Sequence, residues 1–243
     1  MHVRILPFGI LKESLGSDPF ALELPRGASV ADLLARLVAR APAVESLGIA
    51  VSVNAEYANR EKILRENDEI GLLPPVSGGA PSSGPPKTEE SVFIRLTRDP
   101  IQAEALVAAA KHGEDGAVIV FDGIVRNNSR GRKTLYLDYE AYDEMARKQM
   151  KELACEAITR FEVRNVAMIH RLGRLQVGET SVLIIVSSAH RGKAYEASRW
   201  LIDTLKKTVP IWKKETFADG AIWADGEPFP PEYAVEGADG HSS

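Results

Sequence analysis

Two lysines close to a tryptophan have the clearest potential for proton-transfer chemistry in this sequence. Lys206 falls in the last turn of a predicted helix, and Lys213 follows Trp212 just beyond Pro210. Contact with an apolar ring and nearby cations both favour the neutral form of an amine, and four lysines occur within residues 206–214. Such a lysine can serve as a general acid, a general base or a nucleophile. The alternative is that both are solvated surface charges, as most single lysines are.

A candidate anion site lies earlier in the chain, at His190–Arg191. This dipeptide follows a predicted buried strand and opens a predicted helix. The first turn of a helix presents free N–H groups and the positive end of the helix dipole, and the arginine fork suits phosphate. Arg126, which ends another predicted strand, is a second candidate for a phosphate contact. Local capping by His190–Arg191 and a solvated Arg126 remain the alternatives.

A third feature is the pair Gly78–Gly79, which ends a predicted small domain. Since neither residue has a Cβ, such a tail can pass through a channel that is too narrow for side chains. The alternative is that both glycines belong to the Pro-, Ser- and Gly-rich segment that follows.

Composition argues against several classes of function. The 243 residues carry a net charge of −4, which gives no general indication of nucleic-acid or anionic-membrane binding. The single cysteine, Cys155, excludes an intramolecular disulfide, and the histidine spacing predicts no metal site. We interpret Cys155 and His170 as packing residues. Without a membrane-length apolar run or a secretion signal, we expect a cytoplasmic protein.

The chain is predicted to hold two α+β domains. Residues 1–79 form the first, residues 80–90 a linker, residues 91–223 the second domain, and residues 224–243 an acidic, flexible tail. In the first domain one helix begins after the N-cap Ser29, and strands are predicted at 3–6, 20–24, 51–54 and 69–73.

The second domain alternates strands with longer helices. A helix is predicted to open at Asp99–Pro100, and a hairpin is predicted to turn at Asp219–Gly220. The other predicted helices cover residues 143–161 and 192–208, and the strands cover residues 92–96, 116–121, 135–139, 166–171 and 181–186. The strand at 116–121 is predicted to be buried, and a polar, basic loop is predicted at 129–133.

Most of the second domain resembles a known family. The resemblance rests on residues 116–127, 169–173, 188–191 and 205–213. These stretches resemble the large subunit of molybdopterin synthase, and residues 1–79 resemble the small subunit, a ubiquitin-like sulfur carrier. The resemblance implies a fused enzyme with an N-terminal β-grasp domain and a C-terminal α/β hammerhead-type domain.

The resemblance implies a sulfurtransferase. A separate activating enzyme adenylates the last glycine of the carrier, here Gly79, and converts it to a thiocarboxylate. The sulfur then passes to cyclic pyranopterin monophosphate and builds the molybdopterin dithiolene. The resemblance implies no tightly bound cofactor and no metal.

The resemblance also assigns residues. Lys206 and Lys213 match the two essential pocket lysines, and Arg126 with His190–Arg191 matches the anion-binding residues. The family's large subunit is a homodimer, which is implied here too. One departure is that Gly79 continues into Ala80 by a peptide bond, whereas adenylation needs a free carboxylate. The chain is therefore expected to be cut after Gly79, or its carrier half does not work as written.

Two other classes of function remain open at this point. The chain could be a non-enzymatic ubiquitin-like binding module with a docking domain, although the paired lysines disfavour this. It could bind nucleic acid through the basic segment 190–214, but no aromatic sheet or recognition-helix pattern accompanies that segment, so no nucleic-acid or membrane partner is predicted.

Overall fold

The structure is a computed structural model that describes residues 1–41, 44, 48–74, 91–129 and 131–223. The described residues divide into two compact units, one within residues 1–74 and the other within residues 91–223. Gly78–Gly79, the predicted linker 80–90 and the predicted tail 224–243 lie outside the described residues.

The first unit is a five-stranded sheet packed on one main helix. The strands lie in the order β2-β1-β5-β3-β4, with β1 parallel to β5 and the other neighbours antiparallel. Its elements are β1 (His2–Pro7), α1 (Leu11–Leu15), β2 (Phe20–Glu23), α2 (Val30–Arg40), β3 (Ala50–Val53), β4 (Glu56–Ala58) and β5 (Glu69–Leu73).

Local chemistry explains where α2 begins. Ser29 Oγ accepts a hydrogen bond from the Asp32 N–H at 3.3 Å, and Asp32 Oδ2 accepts one from the Ser29 N–H at 2.8 Å. This reciprocal capping box satisfies two backbone donors, and the hydrogen bonds from Ser29 lower the pKa of Asp32. The predicted N-cap is confirmed. Beyond it, Leu33 and Leu37 are fully buried against the sheet.

The second unit contains two sheets and three helices among its described residues. The first sheet has the order β6-β10-β12-β7, and the second has the order β11-β9-β13-β14 with β8 paired to β9. The elements are β6 (Val92–Thr97), α3 (Ala103–Ala109), β7 (Ala117–Ile124), β8 (Asn128–Ser129), β9 (Arg132–Ala141), α4 (Asp143–Phe161), β10 (Asn165–Arg171), β11 (Gly173–Gln176), β12 (Thr180–Ser188), α5 (Arg191–Thr208), β13 (Ile211–Phe217) and β14 (Gly220–Trp223).

The main core of the second unit lies between its first sheet and the helices α4 and α5. Met168 of β10 and Ile184 of β12 are fully buried there, against Met150 of α4 and Leu201 of α5. The opposite face of the sheet packs on the short helix α3 through Ile169 and other residues. The fold is thus mixed α+β in both units, as predicted.

Three predicted features differ from the structure. The strand predicted as buried at 116–121 is β7, which lies at the edge of its sheet and leaves Val120 40% and Ile124 55% exposed. The helix expected from Asp99 begins at Ala103. The predicted polar loop at 129–133 instead contains the β8–β9 hairpin. The short elements α1, β4 and β11 were not predicted, because three to five residues show little periodicity.

Candidate active site

Helix α5 places the candidate residues at its two ends. His190 is the N-cap residue and Arg191 the first helical residue, while Lys206 lies in the last turn, and all three are exposed. Lys206 is sixteen positions after His190, which corresponds to about 24 Å along an α-helix. A single chain therefore does not bring the anion-site candidates to Lys206, although the sequence suggested one cationic pocket.

The N-terminal end of α5 forms a small open site. Among the described residues no side chain accepts a capping hydrogen bond at the start of this helix, unlike the start of α2, which Ser29 caps. A cavity of about 280 Å³ lies here, bounded by Gly116 and residues 189–192. Free helix N–H groups and an adjacent arginine suit a phosphate or carboxylate.

Gly116 sets the shape of this cavity. Its N–H donates to the Ser188 carbonyl at 3.1 Å. A Cβ at this position would lie 2.3 Å from the Ala189 carbonyl oxygen, a clash that only a backbone shift could relieve. Glycine is therefore required where the start of β7 packs against the turn that presents His190.

Lys213 lies in β13 and does not have the environment that the sequence suggested. Successive side chains of a strand point to opposite faces, so Trp212 and Lys213 do not share a face. Lys213 Nζ instead lies 2.9 Å from Glu215 Oε1. The expected contact between Lys213 and the apolar ring of Trp212 is therefore wrong. Lys214 also lies on the face opposite to Lys213.

Arg126 follows the end of β7 and is exposed. The preceding residue, Val125, is held by two backbone hydrogen bonds to the turn at Gly178–Glu179. It packs with Leu137 of β9, and Leu137 lies opposite Glu215 of β13. Val125 therefore packs against the face of the second sheet that carries Lys213, and Arg126 is the next residue in the chain.

His170 is buried behind this region. Its Nδ1 lies 2.9 Å from the Arg171 carbonyl oxygen, which can only accept, so Nδ1 carries the proton. Its ring meets Tyr139 edge-on at 5.0 Å between centroids, and Tyr139 lies opposite Lys213 in the sheet. Burial lowers the pKa of His170 to about 4. The imidazole is neutral at pH 7, which agrees with a packing role.

Two residues of this region were missed by sequence reasoning. Glu215 could have been recognised only from its position two residues after Lys213 in a predicted strand, which puts both side chains on one face. Gly116 could have been recognised as a glycine placed directly before a predicted strand. Cys155 is buried on α4, which fits the predicted packing role.

Among the described residues, no three His, Cys, Asp or Glu side chains gather as metal ligands would. No helix in that part of the chain has the length and apolar character needed to span a membrane.

Comparison with known proteins identifies the family. Residues 96–208 match the MoaE protein family model, and residues 5–79 match the ThiS family model. The molybdopterin synthase catalytic subunit of Pyrococcus abyssi is 41% identical over 136 residues, which cover 55% of this chain and 92% of that protein. The chain belongs to the molybdopterin synthase catalytic-subunit family.

Further relatives agree with this assignment. The catalytic subunit of Bacillus subtilis is 41% identical over 130 residues, covering 54% of this chain and 83% of that protein. The crystal structure of molybdopterin synthase from Staphylococcus aureus superposes with a TM-score of 0.51 at 41% identity, covering 53% of this chain and 94% of that one. The MoaE match includes Arg126, His190, Arg191 and Lys206 and ends before Lys213.

We expect the buried His170 to make stability fall on acidification. Its pKa is lowered in the folded state, from 6.5 to about 4, so the unfolded chain binds more protons between these values. Its contribution to stability is present above pH 6.5 and is lost as the pH falls toward 4. The loss between pH 7 and pH 5 should be about 2 kcal/mol.

Urea unfolding at several pH values measures this slope, and H170Q should flatten it while H112Q, in an exposed loop, should not. An NMR titration of the wild-type ring needs no variant. A His170 ring that titrates near pH 6.5 would contradict the prediction.

Proposed function

We propose that this chain is a molybdopterin synthase whose two parts are fused. A sulfur carried as a thiocarboxylate on Gly79 passes to cyclic pyranopterin monophosphate and builds the dithiolene of molybdopterin. The observation that supports this best is the arrangement of the two matches: the ThiS match ends at residue 79, the second glycine, and the MoaE match begins at residue 96 of the same chain. A carrier and its catalytic partner are thus encoded together.

The proposed sulfur transfer requires cationic groups and a group that can donate and accept protons. Each transfer forms one carbon–sulfur bond on the substrate as a carbon–oxygen bond at the same carbon breaks, and water then cleaves the acyl–sulfur bond and leaves Gly79 as a carboxylate. Substrate phosphate, thiocarboxylate and leaving oxygen are all anionic, so positive charges and hydrogen-bond donors fixed in the site stabilise them. We assign this role to Arg126, His190 and Arg191, and we assign acid, base or electrostatic roles to Lys206 and Lys213. A covalent adduct on Lys206 is an alternative role.

We further propose that two copies complete one site. Within the described part of the chain, strand β7 is an edge with no partner on one side, and it carries the exposed apolar side chains Val120 and Ile124; such edges pair with other chains. The His190–Arg191 corner flanks the start of β7 through Gly116, and Arg126 follows its end. Antiparallel pairing of two β7 strands would place the corner of the second copy beside Arg126 of the first. In this proposal a symmetric dimer makes two such sites, each combining the corner of one copy with Arg126 and Lys206 of the other.

The fusion adds a requirement for cleavage. An activating enzyme can load sulfur only on a free Gly79 carboxylate, whereas the chain continues into Ala80. Residues 80–90 can span at most about 36–40 Å when extended, and this tether raises the local concentration of the carrier. We propose that tethering aids assembly and that cleavage after Gly79 enables the chemistry.

The full chain should restore molybdoenzyme activity in a bacterial host that lacks both synthase subunits. Mass spectrometry should then find a fragment that ends at Gly79, in part as the thiocarboxylate. G79P should abolish the cut and the activity, while G84A in the linker should preserve both. Activity that comes with full-length protein alone would contradict the cleavage step, and no activity from the cleaved wild type would contradict the proposed function.

Replacing either candidate lysine should slow the transfer. K206A and K213A should each lower the rate by ~10²–10⁴, because a positioned acid, base or cation is lost. The neighbouring lysines supply matched controls, so K207A and K214A should stay near the wild-type rate. Single-turnover conversion of the pyranopterin substrate measures the rate, with circular dichroism as a folding check. Near wild-type rates for both K206A and K213A would refute the assignment.

A mixing experiment tests the composite site. R191A and K206A should each be inactive alone, since each dimer lacks one component of every site. Co-expressed chains form mixed dimers in which one of the two sites has both residues intact. About a quarter of the wild-type activity should return, given random pairing. A site contained within one chain would give no recovery, because every chain carries a defect.

A further inference from the structure

Strand β13 carries an ion pair that runs from the interior toward the surface. Lys213 and Glu215 lie on one face of the strand, with Lys213 Nζ 2.9 Å from Glu215 Oε1. The Glu215 side chain is only 7% exposed, whereas that of Lys213 is 35% exposed. The carboxylate is thus the buried partner, and the ammonium is the one that a ligand can reach.

The surroundings of Glu215 are apolar on the neighbouring strands. Leu137 lies opposite it in β9, and Leu175 lies opposite Leu137 in β11; both are buried. Moving a carboxylate out of water into such a place costs several kcal/mol, and an apolar side chain of similar volume is often at least as stabilising as an ion pair. Stability alone does not account for an acid at this position.

A buried carboxylate does have a specific effect on a lysine. The four-carbon stem of lysine is flexible, so its ammonium group samples many positions unless a partner holds it. An ion pair also exists only with the ammonium form. In contrast, Lys206 has no ion pair within 4 Å among the described residues, and it is exposed. The two lysines therefore have different environments.

We propose that Glu215 is a positioning residue that holds Lys213 as a fixed cation toward the substrate and leaves proton transfer to Lys206. This inference rests on the proposed sulfur transfer. A cation fixed in place can stabilise negative charge without the cost of reorganising at the moment of reaction. Glu215 itself is too buried to be assigned a contact with the substrate.

The first test does not depend on activity. Full-length protein is treated briefly with acetic anhydride, and mass spectrometry gives the acetylation rate of Lys213 relative to Lys206. E215Q should raise this ratio roughly fivefold, because the amine is released from its partner. The matched control is D138N, which breaks the 3.1 Å Arg174–Asp138 pair on the opposite face of the same sheet and should leave the ratio unchanged. An unchanged ratio in E215Q would overturn the proposal.

The second test uses the transfer reaction. E215Q should lower kcat roughly tenfold with little change in KM, and E215D, which keeps the charge, should recover part of the loss. In a K213Q background, E215Q should cause no further loss, because Glu215 acts through Lys213. Effects that multiply would show an independent or purely structural role and overturn the proposal. If E215Q does not fold, E215D and the double variant decide the result.

The two tests separate the possible failures. A wild-type chain that transfers no sulfur, together with a raised acetylation ratio in E215Q, would refute the proposed function and leave the Lys213–Glu215 pairing established. Sulfur transfer by the wild type with an unchanged ratio would refute the positioning role alone.

Discussion

The rigid length of helix α5 is the constraint on which the rest of the site depends. Its buried face packs against the first sheet of the second unit through Leu201 and its neighbours, so the helix cannot bend or shift to bring its ends together. His190 and Arg191 at one end therefore stay about 22–24 Å along the helix axis from Lys206 at the other. The proposed composite site takes the two ends from two different chains.

The fixed length of α5 also bears on the exposed edge strand β7. An exposed apolar edge strand risks unwanted pairing, and β7 leaves Val120 and Ile124 open along such an edge. One end of β7 adjoins the His190–Arg191 corner, and the other end leads into Arg126. In the proposed dimer, a second β7 strand pairs with this edge and brings the start of α5 in one copy close to the end of α5 in the other. The same contact would cover the exposed edge and complete the site.

Local structure followed closely from local sequence. The N-cap at Ser29 and the bounds of α4 were predicted, because capping chemistry and 3.6-residue periodicity act over a few neighbouring positions. The start of α3 was placed four residues too early. Strands β4 and β11 were not predicted, because three or four residues are too few to show a periodic pattern. The expected contact between Lys213 and the Trp212 ring was wrong, because adjacent residues of a strand point to opposite faces.

The sequence by itself determined the family, the α+β character of both units and, for the proposed sulfur transfer, the need for a free Gly79 carboxylate. These properties depend on short motifs, on periodicity and on covalent connectivity, all of which can be read along the chain. Only the tertiary structure decided that β7 is an edge, that Glu215 is buried beside Lys213 and that Gly116 must lack a Cβ. Each of these depends on which distant segments become neighbours, and the apolar pattern of a segment does not specify its neighbours.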